Sequence, residues 1–180
     1  MPEKFKNKYR ISSTRLPYWD YGWNGAYFIT ICTKNRVCFF GEIKNGKMIF
    51  SEIGRLAHKF WNEIQNHFTF VVLDEFVIMP NHVHGIIIID KPANEHTTRT
   101  TPAQNRFRNP GKNNISSIIG SYKSVVSKYA HQIDEIFNWQ PRFYDRIIRN
   151  AKEFYKIRKY IRYNPAKWEN DKNNQDGLWT

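Results

Sequence analysis

Val71-Val72-Leu73-Asp74-Glu75-Phe76-Val77-Ile78-Met79-Pro80-Asn81-His82-Val83-His84-Gly85-Ile86-Ile87-Ile88-Ile89-Asp90 is the stretch on which the fold turns. Two apolar, β-branched runs flank Met79-Pro80-Asn81, the composition of two strands joined by a turn. The turn sets His82 and His84 at the head of the second strand. Side chains alternate across a strand, so both imidazoles share a face and stand close together. Two imidazoles on a strand that is apolar on both faces are costly to bury unless something binds them. A pair of ordinary core histidines is the plain alternative, and a metal-binding pair is the reading that explains the cost.

Upstream, Gly25-Ala26-Tyr27-Phe28-Ile29-Thr30-Ile31-Cys32-Thr33 has strand composition, and residues 39–43 and 47–50 read as a small hairpin around Gly46. Ser51 caps a helix running to about residue 66, with Ile53, Leu56, Ala57, Phe60, Trp61 and Ile64 at helical spacing as its core stripe. Downstream, residues 92–113 hold Pro92, Pro102, Pro110 and Gly111 among Thr, Asn and Arg, which predicts an exposed, mobile insert. Ser116 or Ser117 opens the next helix, through about His131. Residues 139–145 read as a short extended or turn segment. A last helix runs from near Asn150 to Asn164, stopped by Pro165.

That last helix supplies a second set of candidates. At about 100° per residue, Phe154, Ile157 and Ile161 form the buried stripe, while Tyr160 and Asn164, four apart, lie side by side on its flank. Tyr163 and Lys156 turn toward solvent. Arg158, Lys159 and Arg162 stand close to Tyr160 and are placed to meet a phosphate.

A chain of 180 residues with 41% hydrophobic content is long enough for one domain with a core and too short for two. Its formal net charge of +12 calls for a polyanionic partner. The excess is segregated. Residues 20–91 carry equal numbers of acidic and basic side chains, whereas the surplus lies on residues 1–19, 92–130 and 141–172. Nucleic acid fits this better than a membrane surface, because no segment joins such charge to a strong apolar face and no apolar run reaches about 18 residues. The two cysteines, Cys32 and Cys38, have no paired Cys or His spacing for zinc and read as reduced thiols. With no apolar leader segment, the expected location is the cytoplasm.

Residues 1–24 form a basic and aromatic arm, with Tyr9, Tyr18, Trp19, Tyr21 and Trp23 interleaved among its charged residues. It is either a strand-binding arm, Arg15 among its contacts, or a tail packed over the sheet edge. The expected organisation is therefore an arm at 1–24, a domain at 25–168 with its insert at 92–113, and a tail at 169–180.

A divalent metal held by two histidines and an amide oxygen can polarise a phosphodiester and stabilise charge on its oxygens. A tyrosine hydroxyl, with a pKa of about 10, becomes a competent nucleophile once a cation takes up developing charge. The product would be a phosphotyrosine link to DNA and a free hydroxyl on the other fragment. The retained bond energy would let the same site rejoin strands.

The His82-Val83-His84 pair behind Val77-Ile78-Met79-Pro80-Asn81, with Trp139-Gln140, Phe143-Tyr144-Asp145, Ile147-Ile148-Arg149 and Tyr160-Ile161-Arg162-Tyr163-Asn164-Pro165, resembles the REP-associated tyrosine transposases. These belong to the superfamily of single-strand endonucleases with a His-hydrophobic-His motif and one catalytic tyrosine. The Gly25–Phe28 strand and the Gly120–Ser124 helix fit the same pattern, so the resemblance spans roughly residues 20–168. It implies a ferredoxin-like α+β domain that acts on single-stranded or hairpin DNA with Mg²⁺ or Mn²⁺, as a monomer or homodimer. By position, it implies His82 and His84 as metal ligands, Asn164 as the third ligand and Tyr160 as the nucleophile forming a 5′-phosphotyrosine intermediate, with Tyr163 as the fallback. Lys123, on the helix after the insert, and Arg15 join Arg158, Lys159 and Arg162 as DNA-contact candidates. Two other readings compete. One is a ferredoxin-like module that grips DNA or RNA without cutting it. The other is a histidine-based phosphoesterase, whose histidine-triad form needs a third alternating histidine where Ile86 stands.

Overall fold

The computed structural model describes residues 19–92, 113–170 and 174, so Arg15 and nearly all of the expected insert lie outside the described residues. In chain order the elements are β1 (Gly25–Cys32), a 3-10 turn (Lys34–Arg36), β2 (Gly41–Lys44), β3 (Lys47–Phe50) and α1 (Glu52–His67). Then come β4 (Val71–Met79), β5 (His82–Ile89), α2 (Ile115–Ala130), β6 (Tyr144–Ile148), α3 (Ala151–Tyr163) and a 3-10 turn (Pro165–Asn170). The main sheet runs β4-β5-β1-β6 with every neighbour antiparallel, and β2–β3 is a separate hairpin. With that hairpin set aside, the order is βαββαβ, a ferredoxin-like α+β domain.

Both faces of β5 are covered, which is why its apolar run is continuous rather than alternating. Val83, Ile87 and Ile89 join the large core beneath α1 and α2, with Trp61, Tyr27 and Tyr122 at its centre. Ile86 and Ile88 lie on the opposite face, against Phe154, Ile157 and Ile161 of α3. Strand parity puts His82 and His84 on this second face.

Local chemistry sets the helix starts. Ser51 caps α1 by accepting from the Gly54 N–H at 3.0 Å while its hydroxyl donates to the Phe39 carbonyl at 2.6 Å. Ser51→Ala is expected to cost about 1 kcal/mol, read as a lower urea midpoint at unchanged slope. The cap of α2 is Asn114, two or three residues before the Ser116 or Ser117 expected from sequence. It accepts from the Ser117 N–H, and the Ser117 hydroxyl answers the Asn114 N–H, so Ser117 completes the cap from the third position instead of opening the helix.

The segment expected to be extended or a turn ends in a true strand. β6 pairs Tyr144–Ile148 with Ala26–Thr30 of β1 and forms the sheet edge. Its five residues alternate too briefly, and carry too much charge at Asp145 and Arg146, for periodicity to reveal a strand. On the opposite edge, β4 has a register shift between Leu73 and Phe76, and the bulge presents Asp74 and Glu75 to α3.

The aromatic end of the arm is packed onto the domain. Trp19 and Tyr21 contact the large core, the Trp19 indole donates to the Tyr27 hydroxyl at 3.1 Å, and that hydroxyl donates to the Trp23 carbonyl at 2.8 Å. Burial, above all, pushes the Tyr27 phenol up to about 12. Lys91 Nζ donates to the carbonyls of Gly22 (2.6 Å) and Asn113 (2.7 Å), joining the two ends of the 93–112 segment to the arm.

Candidate active site

His82 and His84 begin β5, opposite Cys32 and Thr30 of β1 and Met79 and Val77 of β4. Both are buried, and their ring centroids lie 4.5 Å apart at 70°. The turn before them orients the first ring. Asn81 Nδ2 donates to the Arg36 carbonyl at 2.9 Å, which leaves Oδ1 facing His82 Nδ1, also at 2.9 Å. An amide oxygen can only accept, so the imidazole proton sits on Nδ1 and the lone pair on Nε2. Asn35 and Arg36, both with left-handed backbone, turn that carbonyl toward Asn81.

His84 has a partner at each nitrogen. Thr30 Oγ1 lies 2.8 Å from Nδ1, and the Tyr160 hydroxyl lies 3.2 Å from Nε2. With the proton on Nδ1, donated to Thr30, Nε2 accepts from the phenol. Phe28 stacks on the His84 ring at 5.3 Å and meets Tyr160 edge-on at 6.1 Å. The Tyr160 phenol, 41% exposed, is thus held at one side while remaining open to an incoming group.

α3 is fixed at both sides of Tyr160. Arg158 pairs with Asp74 at 2.9 Å and Arg162 with Glu75 at 2.7 Å, each from the β4 bulge. Each pair contributes little energy on its own, at most about 1 kcal/mol, but together they set the helix on the sheet. Asn164 follows at the C-terminal cap, 2% exposed, and among the described residues its Oδ1 has no hydrogen-bond partner. One turn further, the Trp168 ring is 6.0 Å from His82. Along the chain, Asn164 therefore lies midway between the residue touching His84 and the residue touching His82.

These residues fit a divalent cation. A buried, unsatisfied amide oxygen costs about 1–3 kcal/mol, which a cation would offset. Among the described residues no group of three or more His, Cys, Asp and Glu side chains could hold a metal. The side chains of this site that could hold an ion are the imidazoles of His82 and His84 and the amide oxygen of Asn164, with oxygens of water or substrate left to complete its shell. Two nitrogen donors favour Mn²⁺ over Mg²⁺, which prefers oxygen throughout.

The other sequence candidates are placed as follows. Lys159 and Tyr163 are exposed on α3. Lys123 lies away from the histidines on α2, where Nζ donates to the carbonyls of Gln140 (2.8 Å) and Arg142 (3.3 Å), and partial burial lowers its pKa. It props the loop before β6. Arg158 and Arg162 carry the ion pairs just described. Thr30, Phe28, Asn81 and Trp168 were not singled out from sequence as site residues. Asn81 alone had a local signal, its place beside His82 in the turn, while the others arrive by strand pairing and helix packing.

No family model matches the sequence. The chain is 40% identical over 162 residues to an uncharacterised protein of Haemophilus influenzae, spanning 88% of this chain and 90% of that protein. Among solved structures it is similar to a REP-associated tyrosine transposase bound to a REP hairpin, with a TM-score of 0.59 and 19% identity over 88% of this chain and 74% of the other. That likeness is one of fold. Among the described residues, no helix is long and apolar enough to cross a membrane.

Proposed function

We propose that this chain, which belongs to the same family as the Haemophilus influenzae protein, is a metal-dependent transposase-type endonuclease that cuts and rejoins single-stranded or hairpin DNA through a 5′-phosphotyrosine link. The observation carrying this reading is the Tyr160 hydroxyl 3.2 Å from Nε2 of a buried histidine pair, on the sheet face of a ferredoxin-like domain. The net charge of +12 supplies the attraction to a polyanion, and the REP hairpin bound to the similar transposase supports DNA as that polyanion.

In this reading the Tyr160 oxygen attacks the scissile phosphorus, the Tyr–O–P bond forms, the bond to the 3′ oxygen breaks, and the upstream fragment leaves with a 3′ hydroxyl. The phenolic proton passes to solvent. A divalent ion bound by His82, His84 and Asn164 would take up charge developing on the phosphate oxygens. Thr30 and Asn81 hold the two rings, and Phe28 holds Tyr160 beside His84. Lys159, one residue from Tyr160, is the α3 cation best placed for a flanking phosphate, with Arg158, Arg162 and Arg15 as further contacts.

The test is a denaturing gel of the protein with labelled hairpin DNA carrying single-stranded flanks, in Mn²⁺ or in chelator. A Mn²⁺-dependent covalent band supports the proposal, and tight binding without a band overturns it in favour of a non-cleaving module. His82→Ala and His84→Ala should each lose the band and retain hairpin binding. Asn81→Leu, which frees the ring of His82, should weaken Mn²⁺ binding about tenfold or more, followed by electron paramagnetic resonance of unbound Mn²⁺.

A further inference from the structure

The sheet face carrying the histidines is not fully covered by α3. Along one row of the sheet, Thr30 pairs with His84 on one side and with Tyr144 of the edge strand β6 on the other. Tyr144 therefore stands on the same face as His84, two strand spacings or about 10 Å away. Its ring is 44% exposed. It meets Phe28 edge-on, at 6.4 Å and 71°, much as Tyr160 meets Phe28 from its own side at 6.1 Å and 84°. Two half-exposed tyrosines thus flank one aromatic floor, one of them beside His84 and the other at the open edge of the sheet.

We infer that this corner, floored by Phe28 and walled by Tyr144, is a stacking subsite for an unpaired nucleobase next to the phosphate engaged at Tyr160. The inference deepens the reading above and rests on it for the position of the phosphate. Aromatic rings on an open sheet face stack bases without regard to sequence, because every base has a π face. The rim suits a polyanion: Arg146 and Arg149 on and after β6 are exposed, as are Lys152 and Lys159 on α3. Arg146 is held by Glu153 at 2.6 Å, so that guanidinium is fixed at the edge. A duplex base has both faces occupied by its neighbours and cannot enter, so the subsite selects unpaired DNA.

The experiment is photocrosslinking of the full chain to a twelve-nucleotide single strand of thymidine and 5-iodo-deoxyuridine, in chelator so that no cleavage occurs, with the crosslinked peptide mapped by mass spectrometry. The expected crosslink is at Tyr144. Tyr144→Ala should remove it and weaken binding of the strand about tenfold, whereas Tyr144→Phe should keep both. The same strand in a duplex should not crosslink there. Crosslinks that map elsewhere, that survive Tyr144→Ala or that form equally with duplex overturn the subsite. An unchanged melting temperature in Tyr144→Ala separates lost stacking from lost fold. Because no metal is present, a Tyr144 crosslink can appear even if Tyr160 forms no covalent link, so failure of the cleavage reading is distinguishable from failure of the subsite.

Discussion

Tyr160→Phe should abolish the covalent DNA band while leaving hairpin affinity within about twofold. The substitution removes one oxygen, and with it the hydrogen bond to His84 Nε2, and keeps the ring that packs edge-on against Phe28. A partly exposed hydrogen bond of this kind contributes roughly 0.5–1.5 kcal/mol at most, too little to unfold the domain. The loss therefore falls on bond-making, because phenylalanine has no atom that can bond to phosphorus. The covalent assay and a filter-binding titration, run side by side, check both halves. Tyr163→Phe is the companion variant. Tyr163 is half exposed on the last turn of α3, and its removal should leave the band intact. The reverse pattern would transfer the nucleophile to Tyr163.

Gly85→Ala should be strongly destabilising. A Cβ at Gly85 would come within 2.2 Å of Trp61 Cζ2. The indole cannot step aside, since it is fully buried, stacked on Phe76 at 5.8 Å and edge-on to Tyr122 at 5.2 Å. Overpacking of this kind costs about 1–3 kcal/mol or more, and each kcal/mol lowers the melting temperature of a domain this size by about 2–4 °C. The disturbance also reaches the site, because Gly85 follows His84 on β5. A thermal melt measures the loss, and Gly85→Ala combined with Trp61→Leu should recover part of it. Recovery would show that the indole itself is the obstacle; no recovery would assign the effect to the backbone.

A great deal of this was legible before folding was considered. The His-X-His spacing on a β-branched run places both rings on one face because the period of a strand is two, and the observed rings lie side by side. The i, i+4 relation of Tyr160 and Asn164 places them on one flank of a helix for the same kind of reason, with Pro165 bounding it. Ser51 announced α1, and the rich Val and Ile content announced β4 and β5. Where local chemistry was ambiguous, the reading slipped by two or three residues, as at Asn114, or missed a short edge strand, as at β6.

Periodicity within single elements thus accounts for the strand pair, the helices and the side chains each of them offers. The meeting of His84 with Tyr160, 76 residues apart, was decided by packing, as were the bulge carboxylates that seat α3 through Arg158 and Arg162, the Thr30 and Asn81 contacts that orient the imidazoles, and the aromatic row from Tyr144 to Phe28. Strand order and helix docking are set by burying apolar faces against one another across long loops, and that free energy belongs to pairs of elements. No local window of the chain contains both members of such a pair.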